Sequence, residues 1–216
     1  MNHEDRIEPT DRTPAAVIEA LIAGNARYAA GRLRHPHQAP RDREAQRTRH
    51  RPIAAIVACS DARVPPSVVL DQGLGDLFTV RIAGHVVGDD ALASVHYAVQ
   101  ALEVPVVLVI GHRSCGAVGL ALDALRSGGP TDGPLLRDIA AAARAAIDAD
   151  PDGDRAAQHD DAVLRHADAT AGRLAADRVV RARSRSGLLT VRAGRYDLAS
   201  GRIEGLEREV APATDA

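Results

Sequence analysis

The chain has 216 residues, a formal net charge of -2 and a pI near 6.5, with 45% hydrophobic and 26% charged side chains. This length suits one domain with a substantial core and is short for two, and no low-complexity block points to disorder. The near-neutral balance gives no global reason to bind nucleic acid or an anionic membrane, and the longest apolar run, Val104 to Ile110, is far too short to span a bilayer.

The first residues, Met1-Asn2-His3-Glu4-Asp5-Arg6, lack the apolar core of a signal peptide, so a cytoplasmic protein is expected. Thr13-Pro14 reads as an N-cap followed by proline at the first helical position. Val17, Ile18, Leu21 and Ile22 then make one apolar stripe, with Gly24-Asn25 as a stop or kink. From Arg32 to Arg51 the chain turns basic and irregular. Those arginines lack interleaved aromatics and are partly offset by Asp42 and Glu44, which favours a solvated arm or subunit contact over a nucleic-acid arm. His35-Pro36-His37 reads as exposed imidazoles rather than a metal pair.

Ile53 to Ala58 is a short apolar run without alternation, the pattern of a buried strand. A short helix is expected after Pro65-Pro66, ending near Gly73, and a second strand over Leu77 to Ile82, closed by Gly84. Asp89 or Asp90 caps a helix to about Leu102, with Leu92, Val95, Val99 and Leu102 on one face. Pro105 to Ile110 is the third strand, and Gly116 to Leu125 continues as a helix. After a loop over residues 127–134, Leu135 to Asp148 and Arg155 to Val180 read as Ala- and Arg-rich helices. Gly187 to Arg192 and Arg202 to Leu206 read as a last hairpin or strand pair, with a turn near Gly194 and Gly201. Residues from Pro212 form a tail. Aromatics are only 2% of the chain, so Ala, Val, Leu and Ile must build the core. Alternating buried strands and helices imply parallel strands joined by crossovers: an α/β fold with a central, mostly parallel sheet flanked by helices. The whole is read as a single domain over 1–216, comprising an N-terminal helix and arm (1–51), an α/β core (52–211) and the tail (212–216).

The two cysteines, Cys59 and Cys115, both follow apolar runs at equivalent strand ends, where open α/β sheets place ligands. In a reducing compartment such cysteines are more often metal-bound, catalytic or simply reduced than disulfide-linked. With His112 they make the three-ligand set of a catalytic zinc site that keeps a fourth position open. Asp61 is close enough to Cys59 to reach that position or a water on it, and Arg63 can hold Asp61 ionised and oriented. Gly116 and the helix start after Cys115 offer backbone N–H groups to anionic ligands. Each part alone has a plainer reading: Cys59 as a small buried hydrophobe, the cysteines as a redox pair, Asp61 and Arg63 as a surface ion pair. Their coincidence at strand ends favours the metal.

Three motifs carry a family resemblance: Cys59-Ser60-Asp61-Ala62-Arg63-Val64-Pro65-Pro66, Asp71-Gln72-Gly73-Leu74-Gly75-Asp76-Leu77-Phe78, and Gly111-His112-Arg113-Ser114-Cys115-Gly116-Ala117-Val118. They resemble the β-class carbonic anhydrases, and the similarity extends to Gly24-Asn25-Ala26-Arg27-Tyr28 and Tyr196-Asp197-Leu198-Ala199-Ser200-Gly201. The resemblance implies a β-carbonic-anhydrase-like fold, one Zn2+ per subunit on Cys59, His112 and Cys115, and Asp61 with Arg63 as a catalytic dyad. It implies reversible hydration of CO2 to bicarbonate and a proton by zinc-bound hydroxide, in a homo-oligomer of dimer units with sites at subunit interfaces. Phe78, Ala83, Tyr97 and Gly116 would line the substrate pocket, an apolar wall suiting a nonpolar gas. It also implies that Asp61 can swing onto the metal as fourth ligand when its Arg63 partner is lost. The bicarbonate pocket of one subgroup needs a tryptophan, which this chain lacks.

Four positions depart from the family pattern: Ile82 and His85 in Arg81-Ile82-Ala83-Gly84-His85, His96 before Tyr97, and His50 before Pro52. His50, His85 and His96 are candidate proton shuttles or polar substitutions at an interface. Alternative readings are hydrolysis of COS or CS2 on the same scaffold, and a catalytically silent zinc protein whose metal braces a dimer.

Overall fold

Short apolar runs make the strands β1 (Ala54–Ala58), β2 (Leu77–Arg81), β3 (Val106–His112), β4 (Thr190–Tyr196) and β5 (Ile203–Glu204). They form one sheet in the order β2-β1-β3-β4-β5, parallel except for the antiparallel β4–β5 pair. The computed structural model describes residues 12–210, so the expectations for residues 1–6 and for the tail from Pro212 lie outside the described residues. The helices are α1 (Pro14–Ala29), α2 (Pro40–Ala45), α3 (Pro66–Val69), α4 (Asp89–Gln100), α5 (Gly116–Ser127), α6 (Leu136–Ala149), α7 (Arg155–Ala176) and α8 (Arg178–Arg185).

Strand residues alternate between faces, and each face needs its own cover. Ala54, Ile56 and Ala58 with Val106, Leu108 and Ile110 pack under Val17, Ile18 and Leu21 of α1 and Val69 of α3. Ala55, Val57, Val107 and Val109 face the other way, against Val95 and Val99 of α4 and Ala167, Ala171 and Leu174 of α7. Covering both faces is why β1 and β3 read as unbroken apolar runs rather than alternating ones. A third cluster, from α5, α6 and α7, closes over Cys59 and Cys115.

Several sequence expectations change in the folded chain. Gly24-Asn25 is not a stop: α1 runs on to Ala29. Gly24 is where the helix crosses α3, and a Cβ there would sit 2.0 Å from the Leu70 carbonyl oxygen. The basic arm contains a short helix, α2, started by Pro40 at its first position. Gly88, not Asp89 or Asp90, is the N-cap of α4, and the two aspartates occupy the first turn, where they suit the helix dipole. The long helix expected to Val180 breaks at Asp177, whose carboxylate accepts from the Val179 and Val180 N–H groups and so caps α8. β4 and β5 do form the expected antiparallel pair, and β4 also joins the parallel sheet beside β3. Gly194 lies inside it, because a Cβ there would stand 2.7 Å from the Ile203 side chain. The turn does fall at Gly201, at φ 72°.

Two buried polar features hold distant segments together. Asn25 donates to the Val69 and Gly201 carbonyls (both 2.9 Å) and accepts from the Ile203 N–H (2.8 Å), joining α1, α3 and the β4–β5 connection. The rings of His85 and His166 pack at a tilt of 38° with centroids 4.5 Å apart, and both are buried. His166 Nε2 donates to the Gly84 carbonyl at 2.9 Å. Burial, with His166 and His112 adding to it, pushes His85 well below the ordinary histidine range. Burial likewise lowers His166 to about 4, only partly opposed by its bond to Gly84.

Asn25→Ala leaves one N–H and two carbonyls without partners and should lower stability by about 2–4 kcal/mol. The check is a lower urea midpoint at unchanged m. The histidine pair sets a pH dependence. Their folded pKa values lie below the unfolded value of about 6.5, so on acidification the unfolded chain takes up protons that the folded chain refuses. The stability they contribute is full above about pH 6.5 and falls with acidification at roughly 1.4 kcal/mol per ring per pH unit, His166 losing its share as pH falls toward about 4. His166→Gln, which keeps a donor and does not titrate, should reduce the slope of unfolding free energy against pH by about that single-ring amount.

Candidate metal centre

β1 and β3 pair with Ala58 opposite Ile110. Cys59 leaves β1 one residue beyond that pair, and His112 ends β3 two residues beyond it, inside the strand rather than past its end as the sequence had suggested. Ser114 (φ 54°) then turns the chain so that Cys115 becomes the N-cap of α5. One ligand atom each from Cys59, His112 and Cys115 lies within 4.8 Å of the others, and all three residues are buried.

The surroundings prepare these atoms as ligands. His112 Nδ1 donates to the Arg113 carbonyl at 3.0 Å, so the lone pair is left on Nε2, which is buried and has no hydrogen-bond partner. Cys59 Sγ accepts from the N–H of Asp61 (3.4 Å) and of Gly84 (3.3 Å). Its thiol is pushed far down, first by a hydrogen bond from Cys115 and further by the Asp61 and Gly84 N–H groups, against the cost of burial. Cys115 is pushed up, by its bond to Cys59 and by burial, while the N–H groups of Val118 and Ala117 at the start of α5 oppose this. A divalent cation held by both sulfurs would offset the charge that each carries as a thiolate. Two thiols, an imidazole with its free nitrogen turned inward and a buried setting fit such an ion.

Asp61 is gripped at both oxygens by Arg63, Nε to Oδ1 at 2.9 Å and Nη2 to Oδ2 at 2.7 Å, and the Arg63 N–H adds a third bond at 2.9 Å. This grip holds the carboxyl below the usual carboxylate range although burial opposes it. Asp61 Oδ2 stands 3.9 Å from His112 Nε2, so the carboxylate borders the ligand set. Arg81 steadies the same loop, donating to the carbonyls of Cys59 (3.1 Å) and Asp61 (2.6 Å). The sequence reading passed over Arg81, because its role depends on β2 lying beside β1, which pairs Ala58 with Arg81.

The other singled-out residues divide. Ala83 and Gly116 are exposed, each one residue from a group at the centre, Gly84 and Cys115. Phe78 and Tyr97 pack on each other at 5.9 Å between ring centroids, but Phe78 pairs with Ala55, three residues before the level of Arg81. That is about 10 Å back along the strand, so one chain does not bring this ring pair to its own cluster. His50 is exposed. His85 is sealed against His166, and His96 Nε2 is bonded to Asp177 at 2.9 Å. Sequence reasoning also missed His159, whose Nε2 donates to the Cys115 carbonyl at 2.9 Å. The available signal was two histidines seven residues apart, hence on one face, in a helix taken as merely Ala- and Arg-rich.

Comparison with known proteins gives the family. A family model described as carbonic anhydrase matches residues 54–203. Carbonic anhydrase 2 of Mycobacterium tuberculosis is 45% identical over 126 residues, 58% of this chain and 60% of that relative. The Mycolicibacterium smegmatis carbonic anhydrase is 46% identical, again over 126 residues, covering 58% and 61%. The chain thus spans about 60% of the length of these relatives. A Pseudomonas aeruginosa carbonic anhydrase is 35% identical over 167 residues, covering 74% of this chain and 76% of its own length. Among solved structures, tetrameric β-carbonic anhydrases of Sordaria macrospora superpose with a TM-score of 0.71 at 25% identity, covering 88% of this chain and 96% of theirs. With the family model spanning residues 54–203 and a β-carbonic anhydrase superposing over 88% of the chain, this chain belongs to the β-class carbonic anhydrase family.

Proposed function

We propose that the protein is a zinc-dependent carbonate dehydratase that interconverts CO2 and bicarbonate, with Cys59, His112 and Cys115 holding one Zn2+ per subunit. The observation that carries this reading is the buried convergence of those three ligand atoms within 4.8 Å, beside a carboxylate held in two-point register. Zinc on such a donor set supplies Lewis acidity that brings the pKa of water to about 7. The chain's own residues do the rest. Asp61 accepts a proton or hydrogen bond from the entering water at Oδ2, its oxygen near His112 Nε2, and so orients the water. Arg63 keeps that carboxylate ionised and fixed. Its grip supports a resting arrangement in which Asp61 stays off the ligand set.

The Phe78–Tyr97 pair supports a homo-oligomer. Tyr97 is 51% exposed and the pair lies away from its own chain's cluster, so a second copy would supply this apolar wall to the site. Of the three histidines, His50 is the one we assign to proton exchange with solvent, because it is exposed, whereas His85 is sealed and His96 is tied to Asp177. Among the described residues no helix is long and apolar enough to cross a membrane. Thiols serving as ligands suit a reducing cytoplasm.

Stopped-flow CO2 hydration by the zinc-loaded protein tests the reading. Asp61→Ala should cost roughly a hundredfold or more in turnover while zinc content stays at one per chain. Sulfide release from COS with little CO2 activity would instead establish the heterocumulene hydrolase, and full zinc occupancy with neither activity would leave a metal-braced dimer.

A further inference from the structure

One face of α7 touches three segments that build the metal centre. His159 Nε2 donates to the Cys115 carbonyl at 2.9 Å. One turn on, Val163 packs at Gly111, the residue before His112, so closely that a Cβ on Gly111 would lie 2.9 Å from Val163 Cγ1. Next on the same face, His166 Nε2 donates at 2.9 Å to the carbonyl of Gly84, whose own N–H donates to Cys59 Sγ. Spacing of four and then three residues keeps all three contacts on a single stripe of the helix.

From this we infer that His159 and His166 are positioning residues of the metal centre, acting through the Cys115 and Gly84 backbone. Each carbonyl belongs to a residue that itself meets a sulfur: Cys115 carries one, and Gly84 donates its N–H to Cys59 Sγ. Gly84 sits at φ 62° with Ala117 and Ile139 against it, so its peptide has little freedom once His166 holds the carbonyl. α7 is seated on the sheet by Val163, Ala167 and Ala171. It therefore serves as a strut that sets the distance between the segment carrying Cys115 and the segment bonded to Cys59. Neither histidine touches the ligand atoms, and no proton transfer is assigned to them.

The inference rests on the proposed zinc reading, and the experiment separates the two. Zinc affinity of the full chain is measured by competition with a chromophoric chelator, alongside the thermal stability of the metal-free protein and the absorption of the cobalt-loaded form. His159→Leu removes the donor at a half-buried site; His159→Gln keeps an N–H donor. His159→Leu should weaken zinc binding by about tenfold, the lower end for loss of an outer hydrogen bond in a metal site, and shift the cobalt d–d bands, with metal-free stability unchanged. His159→Gln should recover affinity to within about threefold and keep the bands in place. His166→Phe against His166→Gln should show the same ordering. Affinity unchanged in His159→Leu, or equal loss in His159→Leu and His159→Gln, overturns the inference and leaves the zinc reading standing. If the unsubstituted chain takes up no zinc, both fall.

Discussion

The parallel pairing of β1 with β3 is the constraint on which the rest of the molecule depends. A parallel ladder carries both strands to the same edge of the sheet, so the residues leaving β1 and closing β3 meet there whatever the chain does between them. With Ala58 set against Ile110, Cys59 and His112 arrive within reach of each other, and one tight turn at Ser114 returns Cys115 to the same point. A slip of one residue in that register would exchange the side chains packed under α1 and α3 with those packed under α4 and α7. The two apolar layers that cover the sheet therefore also fix how Cys59, His112 and Cys115 converge. Packing and chemistry share one register.

Around this edge polar bonds join backbone groups to the side chains of the site. Arg81 holds two carbonyls of the Cys59–Asp61 loop, Gly84 offers its N–H to a sulfur, and His112 is oriented by the carbonyl next to it. Such bonds are strong where water is excluded and costly if left half-made. The ion pairs farther out, such as Arg165 with Asp161, are exposed and contribute little by comparison. The same contrast separates the departures from the family pattern. His85 sits where φ is 45°, a backbone region that histidine tolerates better than most residues, and it fills space against His166. His96 is absorbed by Asp177, which also caps α8.

Much was legible from residues in order. Uninterrupted apolar runs marked β1 and β3 as doubly covered strands, Thr13-Pro14 marked the start of α1, and the motifs around Cys59 and Cys115 pointed to one metal-binding cluster in a known family. Local patterns misled where a distant contact outweighs local propensity. Gly24-Asn25 reads as a helix stop, yet Gly24 admits the Leu70 carbonyl and Asn25 bonds three remote backbone groups. Gly194 reads as a turn, yet it makes room for Ile203 inside a strand.

What the sequence by itself determined was the inventory: which residues could donate sulfur and nitrogen to a metal, which strands are buried, and to which family the pattern belongs. Tertiary structure alone decided which backbone groups steady those donors. Arg81, Gly84, His159 and His166 act through hydrogen bonds whose partners lie 22, 25, 44 and 82 positions away along the chain. A local pattern cannot reveal them, because such bonds depend on sheet order and helix placement, which only the packed core sets.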